Sequence, residues 1–198
     1  MKRRHALVGA GGALLAAMVA CSKDERQQPS EPASVAPAPK AADSRQAFEL
    51  ASGGTGFVVG QAMAARNLLV FFDPQCPHCA TLWVASKPLR ERIRMVWMPV
   101  AFIATTSAPQ GALILAAKDS TSAMDLHETL LASGQGGLAV PGAADPDLLA
   151  KIKANTELWK SLDARSVPHL LYRIGEQGPY GTHSGGMTTA QLAQLLEL

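Results

Sequence analysis

Residues 70–83 read VFFDPQCPHCATLW and place two cysteines three positions apart directly after an apolar run. The run is rich in aromatic and β-branched residues, which is typical of a buried strand. From Cys76 onward, apolar residues recur every three or four positions up to Ile93, which predicts a helix with a kink at Pro88. Cys76 therefore stands at the point where a strand ends and a helix begins.

The start of a helix favours reactivity at Cys76. Free backbone N–H groups and the positive end of the helix dipole stabilise a thiolate there and lower the thiol pKa below about 8.5. Pro77 costs the first turn no donor that it needs, and His78 adds an imidazole that further favours the thiolate. Cys79 lies one turn further in and is more covered. We therefore predict a redox pair in which Cys76 forms a mixed disulfide with a substrate and Cys79 resolves it, leaving a Cys76–Cys79 disulfide.

Other uses of the two cysteines fit the sequence less well. A zinc site needs four ligands and the sequence holds no second Cys-x-x-Cys, so a Cys2His2 site is the weaker alternative. Its histidines would come from His127, His169 and His183. Haem attachment requires histidine directly after the second cysteine, and Ala80 occupies that place. Two inert core cysteines are disfavoured by Pro and His between them at a helix start. We therefore expect no metal and no cofactor.

The N-terminus has the pattern of an export signal. MKRRH is positively charged, and the about 15 apolar residues after it are short for a membrane span, which needs about 20. The tetrapeptide at 18–21 resembles a bacterial lipobox, whose cysteine is lipidated. A plain signal peptide cut near Ala20 is the alternative. We predict a lipoprotein signal peptide at 1–20 and a lipid anchor on Cys21.

Composition divides the rest of the chain into two parts. Residues 21–46 are rich in Pro, Ala, Ser and charge, which predicts a flexible tether, and residues 47–198 form the folded domain. Without Lys2, Arg3 and Arg4, the 18 basic residues fall to 15 against 16 acidic ones. The remainder is close to neutral, so nothing in its charge calls for nucleic acid.

Strand and helix patterns alternate through the folded domain. Strand patterns cover 54–60, 67–72, 94–103, 169–174 and 178–185, and helical patterns cover 76–93, 110–118, 122–132, 145–164 and 187–198. Asp145 with Pro146 is a favourable helix start, and Thr188 with Gln191 has the spacing of a capping box. This order predicts an α/β fold with a mixed central sheet flanked by helices and a helical insertion at about 105–165.

A proline stands directly before the strand that begins at His169. Proline cannot donate a ladder hydrogen bond, and its place at the first residue of a strand, in Ser166-Val167-Pro168, suits a cis peptide bond. A trans proline that merely opens the strand is the alternative.

Together these residues resemble a known family. FFDPQCPHC with its preceding strand, the helical insertion, the SVP segment and the closing strand–helix unit resemble the thioredoxin-fold catalytic domain of DsbG and DsbC, which are periplasmic thiol:disulfide interchange proteins. The resemblance covers roughly residues 48–198. It implies that Cys76 is the nucleophile and Cys79 the resolving cysteine. It also implies that Val167 and a cis Pro168 face the active site, where the backbone pairs with a substrate peptide.

Three features depart from that family. The N-terminal dimerisation domain and the linker helix have no counterpart in the sequence, which favours a monomer. The dipeptide Pro77-His78 resembles that of the oxidase DsbA and not the dipeptides of the isomerases. Val167 before the proline also resembles the oxidase, where the isomerases have Thr. These departures favour a monomeric and rather oxidising exchange domain.

A few further residues receive structural interpretations. Asp73 could move a proton at Cys79, but a strand-end role before Pro74 is favoured. His169 follows the cis-proline candidate and could lie near the site. His127, on a helix with Asp125 and Glu128, is predicted to lie on the surface. The three tryptophans, Trp83, Trp97 and Trp159, are predicted to anchor the core.

The sequence thus predicts an envelope thiol:disulfide oxidoreductase that exchanges disulfides with exported proteins. Its expected partners are exported protein thiols and disulfides, a membrane redox protein and the membrane itself, through the lipid anchor. Ser22 after Cys21 is compatible with the outer membrane, and the periplasm is the expected compartment. A reductase or isomerase that rescues oxidised or mispaired cysteines is one alternative. A peptide-binding chaperone module, from another class of function, is the second.

Overall fold

A computed structural model describes residues 41–198 of the chain. The predicted signal peptide at 1–20, the predicted lipid anchor at Cys21 and most of the tether predicted at 21–46 lie outside these residues. The elements in chain order are α1 (Ala41–Ala51), β1 (Phe57–Gly60), β2 (Arg66–Phe72), α2 (Pro77–Ser86), β3 (Ile93–Pro99), α3 (Ser107–Ala116), α4 (Ser120–Ala132), α5 (Pro146–Ser161), β4 (His169–Ile174), β5 (Tyr180–Ser184) and α6 (Thr189–Leu195). Between residues 41 and 198, the helices are all too short or too polar to cross a membrane.

The five strands form one mixed sheet in the order β1-β3-β2-β4-β5. β2 and β3 run parallel, whereas every other neighbouring pair is antiparallel. All residues of β2 after Arg66 are buried, because the strand is central and covered on both faces. This explains why residues 67–72 read as an unbroken apolar run. The predicted α/β architecture with a mixed sheet is confirmed.

The helix after the cysteines is shorter than its apolar spacing predicts. α2 ends at Ser86, and a 3-10 turn at Lys87–Leu89 contains Pro88, which has no N–H to continue the helical ladder. Pro88 therefore ends the helix and does not kink it. Ile93 already begins β3 and is fully buried. The buried apolar residues from Cys76 to Ile93 all face the core, but they extend from α2 into a different element, β3.

The folded part begins earlier than the predicted boundary at residue 47. α1 starts at Ala41, and its buried residues Ser44, Phe48 and Ala51 recur at helical spacing. The Phe48 ring meets the Tyr180 ring edge-on, with centroids 5.5 Å apart. Residues 41–46 are thus helical and not tether. Their composition, rich in Ala and charged residues, resembles that of a linker. One face of α1 nevertheless packs on the β4–β5 side of the sheet.

The helical insertion predicted at about 105–165 matches helices α3 to α5. Asp145 caps α5 by accepting backbone N–H groups, and Thr188 with Gln191 forms the predicted capping box on α6. Trp83 and Trp97 are fully buried, with ring centroids 5.0 Å apart, and Trp159 is 7% exposed. The three tryptophans therefore anchor the core as predicted. The contact between Trp83 and Trp97 packs α2 against β3.

Candidate active site at the start of α2

The cysteine pair lies directly beyond the carboxyl end of the central strand. Cys76 is the N-cap residue of α2, in extended conformation, and Pro77 is the first helical residue. The carbonyl of Cys76 accepts the backbone N–H groups of Cys79 and Ala80, which closes the first turn. Both cysteines are free thiols; Cys76 is 4% exposed and Cys79 is fully buried. Pro77 and His78 are exposed, so the dipeptide forms the outer surface of the site.

The two thiols have opposite acid–base properties. The pKa of Cys76 is lowered to about 6, mainly by a hydrogen bond from the Cys79 thiol, with further contributions from the backbone N–H groups of Cys79 and His78 and from the His78 charge. Partial burial opposes this shift. The pKa of Cys79 is raised far above its usual range, first by burial and then by its hydrogen bond to Cys76. Cys76 is therefore the thiolate at neutral pH, and Cys79 keeps its proton.

The predicted Val167–Pro168 loop faces the cysteine pair. Its peptide bond is cis, as the resemblance implied, and both residues are buried. When Cys76 is a thiol, its Sγ donates a hydrogen bond to the Val167 carbonyl oxygen at 3.4 Å. The Pro168 carbonyl accepts the N–H of Gly185 at 2.8 Å, which ties the loop to the end of β5. The structure thus brings together residues 91 positions apart in the sequence.

An open groove begins at His78 and runs over the loop between β5 and α6. It is lined by His78, Thr81, Gly185, Gly186, Met187, Thr188 and Gln191. At Gly186 an added Cβ would lie 3.3 Å from the His78 carbonyl oxygen, so a side chain there would narrow the groove at its closest approach to α2. The groove is open to solvent and borders the CPHC turn at His78.

Asp73 is an anchor for the loops around the site. Its side chain is fully buried, and its Oδ2 accepts the backbone N–H groups of Phe102 and Ile103 at 2.9 and 3.0 Å. Its Oδ1 accepts the N–H of Gln75 at 2.9 Å and the hydroxyl of Ser107 at 2.6 Å. Four donors occupy the carboxylate, so the favoured strand-end interpretation fits it better than a role in moving protons.

His127 lies in the interior and not on the surface, so that prediction is wrong. It is fully buried; its Nε2 lies 2.7 Å from the Pro74 carbonyl oxygen, and its Nδ1 accepts the N–H of Leu138 at 3.1 Å. These two bonds assign the proton to Nε2. Burial lowers the pKa of His127, which favours the neutral ring. The acidic neighbours Asp125 and Glu128 made α4 resemble a solvent-facing helix.

The glycine-rich loop after α4 is also tied to the approach to Cys76. Gln75 Nε2 donates to Gln110 Oε1 at 2.6 Å and to the Gly136 carbonyl at 3.0 Å. Gln110 Nε2 donates to the same carbonyl at 2.7 Å. No local sequence pattern marks either glutamine, because their contacts join residues 35 and 61 positions apart.

His169 lies next to the cis-proline loop but points to β5. Its Nδ1 lies 2.8 Å from the Ser184 hydroxyl, and burial, followed by the proximity of His183, lowers its pKa to about 4. Within residues 41–198, no group of three or more His, Cys, Asp or Glu side chains is arranged to hold a metal ion.

Sequence reasoning missed one acidic residue of the site. Glu128 on α4 is 7% exposed, and its pKa is raised to about 8, first by burial and then by the charge of Cys76. It lines a second groove, between α2 and α4, together with Ala80, Trp83 and Asp125. Its spacing from the cysteines gives no hint of this, since α4 packs on α2 only in the folded chain.

Comparisons with known proteins agree with this architecture. No protein-family model matches the sequence. The chain is 29% identical over 140 residues to the thiol:disulfide interchange protein DsbG of Pseudomonas aeruginosa. The match covers 69% of this chain and 53% of that protein, so the chain spans about half the length of the curated relative it matches.

Solved structures of several bacterial proteins are similar in fold. The catalytic domain of Proteus mirabilis ScsC has a TM-score of 0.60 at 16% identity, over 79% of this chain and 96% of that one. A periplasmic thioredoxin-like protein from Salmonella enterica serovar Typhimurium has a TM-score of 0.58 at 17% identity, over 76% and 94%. The thiol-disulfide exchange protein alpha-DsbA2 from Wolbachia pipientis has a TM-score of 0.59 at 17% identity, over 79% and 94%. The chain has a thioredoxin-like fold.

Proposed function

We propose that the protein is a thiol:disulfide oxidoreductase of the bacterial cell envelope that exchanges disulfides with exported proteins through Cys76 and Cys79. The observation that carries the proposal is the asymmetry of the two thiols. Cys76 caps a helix with a pKa of about 6, and Cys79 is buried one turn further in with a raised pKa. A nucleophilic thiolate beside a protected resolving thiol is the arrangement that disulfide exchange requires.

The exchange proceeds in two steps. The Cys76 thiolate attacks one sulfur of a substrate disulfide, the substrate S–S bond breaks, and the other substrate sulfur leaves as a thiolate. Cys79 then attacks Cys76 Sγ, which forms the Cys76–Cys79 disulfide and releases the second substrate thiol. The dithiol loses two electrons and the substrate gains them. In the reverse direction the same steps donate a disulfide to a substrate.

Backbone pairing at the cis-proline loop is the proposed mode of substrate binding. The Val167 carbonyl lies 3.4 Å from Cys76 Sγ, so an extended peptide that places its sulfur at Cys76 would pass along Val167 and Pro168. The groove that begins at His78 would receive its neighbouring side chains. His78 would also help to hold Cys76 ionised, since its charge lowers the pKa of that thiol.

Location in the envelope is proposed from the sequence and from the relatives. The charged and apolar pattern at 1–20 and the lipobox-like residues at 18–21 support export and lipidation at Cys21. The similar protein from Salmonella enterica is a periplasmic thioredoxin-like protein. A lipid-anchored periplasmic protein would receive or deliver electrons through a membrane redox partner.

The direction of electron flow separates an oxidase from a reductase or isomerase of the DsbG type. The low pKa of Cys76 supports an oxidant, because a stabilised thiolate favours the reduced form of the pair. The resemblance of residues 48–198 to the catalytic domain of DsbG and DsbC supports the reductase or isomerase alternative. Equilibration with glutathione, followed by thiol trapping, measures the reduction potential. A value near about −120 mV supports the oxidant, whereas about −200 mV or lower supports the alternative.

Titration of the Cys76 thiolate tests the asymmetry of the two thiols on which the proposal rests. Absorbance at 240 nm should report one thiolate with a midpoint near pH 6, absent from Cys76→Ser. Cys79→Ala should raise the midpoint more than His78→Ala, because the hydrogen bond from Cys79 is the largest cause of the shift.

Two outcomes would contradict the proposal. A Cys76 midpoint near the ordinary thiol value would remove its physical basis. Disulfide exchange that persists in Cys76→Ser would assign the chemistry elsewhere. If Cys76→Ser still suppresses aggregation of an unfolded client while the wild type shows no exchange, the chaperone alternative holds instead.

A further inference from the structure

We infer that Glu128 takes the proton of the Cys79 thiol when Cys79 attacks Cys76, and returns it in the reverse step. The inference rests on the proposed exchange function and assigns a residue to the proton transfer from Cys79. Cys79 is fully buried and must lose its proton to become a nucleophile, so an acceptor is needed inside the protein.

Helix α4 is held near the cysteine turn by two hydrogen bonds, at Asp125 and His127, which both precede Glu128. Trp83 Nε1 donates to Asp125 Oδ1 at 2.6 Å, which joins α4 to α2 one turn beyond Cys79. His127 Nε2 donates to the Pro74 carbonyl at 2.7 Å, which joins α4 to the loop before Cys76. Glu128 directly follows His127 and is therefore held close to the start of α2.

The side chain of Glu128 reaches the turn of α2 that carries Cys79. It lines the groove between the two helices together with Ala80 and Trp83. Cys79 and Trp83 are four residues apart and share one face of α2, and Ala80 is the neighbour of Cys79. Electrostatic coupling agrees with this placement, since the charge of Cys76 raises the pKa of Glu128 and the charge of Glu128 raises that of Cys79.

The carboxyl group is buried without the hydrogen bonds that a structural carboxylate makes. Oε2 is inaccessible to solvent, and no donor among residues 41–198 reaches it. Lys87, which lines the groove, pairs with Asp125 at 2.6 Å, and Arg90 lies over the Trp83 ring at 4.4 Å. A buried acceptor that is left unpaired costs free energy, so its retention needs another reason. Its pKa of about 8 lets it hold either protonation state near neutral pH.

The other buried carboxylate of the site is committed elsewhere. Asp73 accepts four hydrogen bonds, from Phe102, Ile103, Gln75 and Ser107. A proton could reach it only after one of these bonds broke. Glu128 therefore remains as the carboxylate free to accept.

The step balances in atoms and charge. In the mixed disulfide, Cys79 Sγ attacks Cys76 Sγ, the new S–S bond forms, and the bond from Cys76 to the substrate sulfur breaks. The proton of Cys79 passes to the Glu128 carboxylate, and the substrate leaves as a thiolate. In the reverse direction a substrate thiolate attacks Cys76, and Cys79 leaves as a thiolate that takes the proton from the Glu128 carboxylic acid.

The experiment separates the two steps of exchange in the Glu128→Gln variant. Reduced protein is mixed rapidly with oxidised glutathione, quenched in acid and analysed by mass for the glutathione adduct and the internal disulfide. We expect adduct formation to stay within about twofold of wild type. Resolution should slow at least about tenfold at pH 7, so that the adduct accumulates. The wild-type resolution rate should rise with pH through an inflection that Glu128→Gln lacks. This inflection should lie below about pH 8, because the Cys76 charge that helps to raise the pKa of Glu128 is absent from the adduct.

Matched variants distinguish proton transfer from a structural effect. Glu49→Gln, at an exposed position of α1, should leave both steps unchanged. Glu128→Asp should restore part of the resolution rate and the inflection. Equal resolution rates in wild type and Glu128→Gln would overturn the inference, as would equal slowing of both steps. Absence of both the adduct and the internal disulfide with wild-type protein would instead overturn the proposed function.

Discussion

Asp73 and Glu128 are two buried carboxylates near the same cysteine pair, and they differ in the number of hydrogen bonds that they accept. Asp73 ends the central strand and accepts four hydrogen bonds from the loops around it. Glu128 comes from the helical insertion, and within residues 41–198 its Oε2 accepts none. Burial alone therefore does not define a functional carboxylate; the number of donors that meet it does.

The difference follows from what each residue must do. A carboxylate with four donors is fixed in place, which holds the loop after β3 and the turn before Cys76 in register. A carboxylate without donors is destabilised in its charged form, which makes it a ready proton acceptor for a buried thiol. One residue thus builds the site, and the other is available for its chemistry.

Removal of the Asp73 carboxylate should give the largest effect on stability. Asp73→Ala leaves three part-buried backbone N–H groups and the buried Ser107 hydroxyl without their acceptor, so we expect the free energy of unfolding to fall by about 3–5 kcal/mol. Urea denaturation measures the loss. Ser107→Ala, which removes one of the four bonds, should cost only about 1–2 kcal/mol. Wild-type stability in Asp73→Ala would show that the four bonds contribute little.

Glu128→Gln should change the pH dependence of stability by a smaller amount. The pKa of Glu128 is raised from 4.5 to about 8, so between these values the folded protein holds a proton that the unfolded chain has released. The stability that this group contributes is full below about pH 4.5 and is lost as pH rises through about 8. From pH 5 to pH 9, wild type should therefore lose on the order of 1–3 kcal/mol relative to Glu128→Gln.

The comparison between variant and wild type is necessary for that measurement. The lowered pKa of Cys76 gives the reduced protein the opposite slope, since its contribution grows as pH rises from about 6 to 9. This contribution is present in both proteins and cancels in the difference, apart from the coupling between the Cys76 and Glu128 charges. Parallel stability curves across pH 5–9 would show that Glu128 titrates normally.

The fold could be predicted from the sequence because its signals are local. The apolar run at 67–72, the proline after Cys76 and the caps at Asp145 and Thr188 each act within a few residues. The end of α2 was harder, because the core-facing spacing continues from its last turn into β3. α1 was missed for a related reason: six residues with a linker-like composition became helical by packing on the sheet.

The residues of the candidate site also differ in whether local sequence reveals them. Cys76, Cys79 and the cis proline stand out because their residue types and positions are distinctive. His127 and Glu128 do not, since a polar helix with two acids resembles a solvated surface. Their burial depends on contacts such as that between His127 and Pro74, 53 positions apart. No local pattern encodes such a contact.

The smallest expected effect is that of Lys87→Ala, which tests whether Glu128 has no cationic partner. Lys87 lines the same groove but pairs with Asp125, and both side chains are about 40% exposed. Lys87→Ala should lower the free energy of unfolding by less than about 1 kcal/mol, as Lys160→Ala should at the exposed pair with Glu157. The difference in free energy of unfolding between the protein with Glu128 and the Glu128→Gln variant should depend on pH in the same way when Lys87 is replaced by Ala. A steeper loss of stability above pH 7 in the Lys87→Ala background would mean that Lys87 neutralises Glu128 in solution. Glu128 would then have Lys87 as its donor, and its contrast with Asp73 would lie in which donor it has and not in the absence of one.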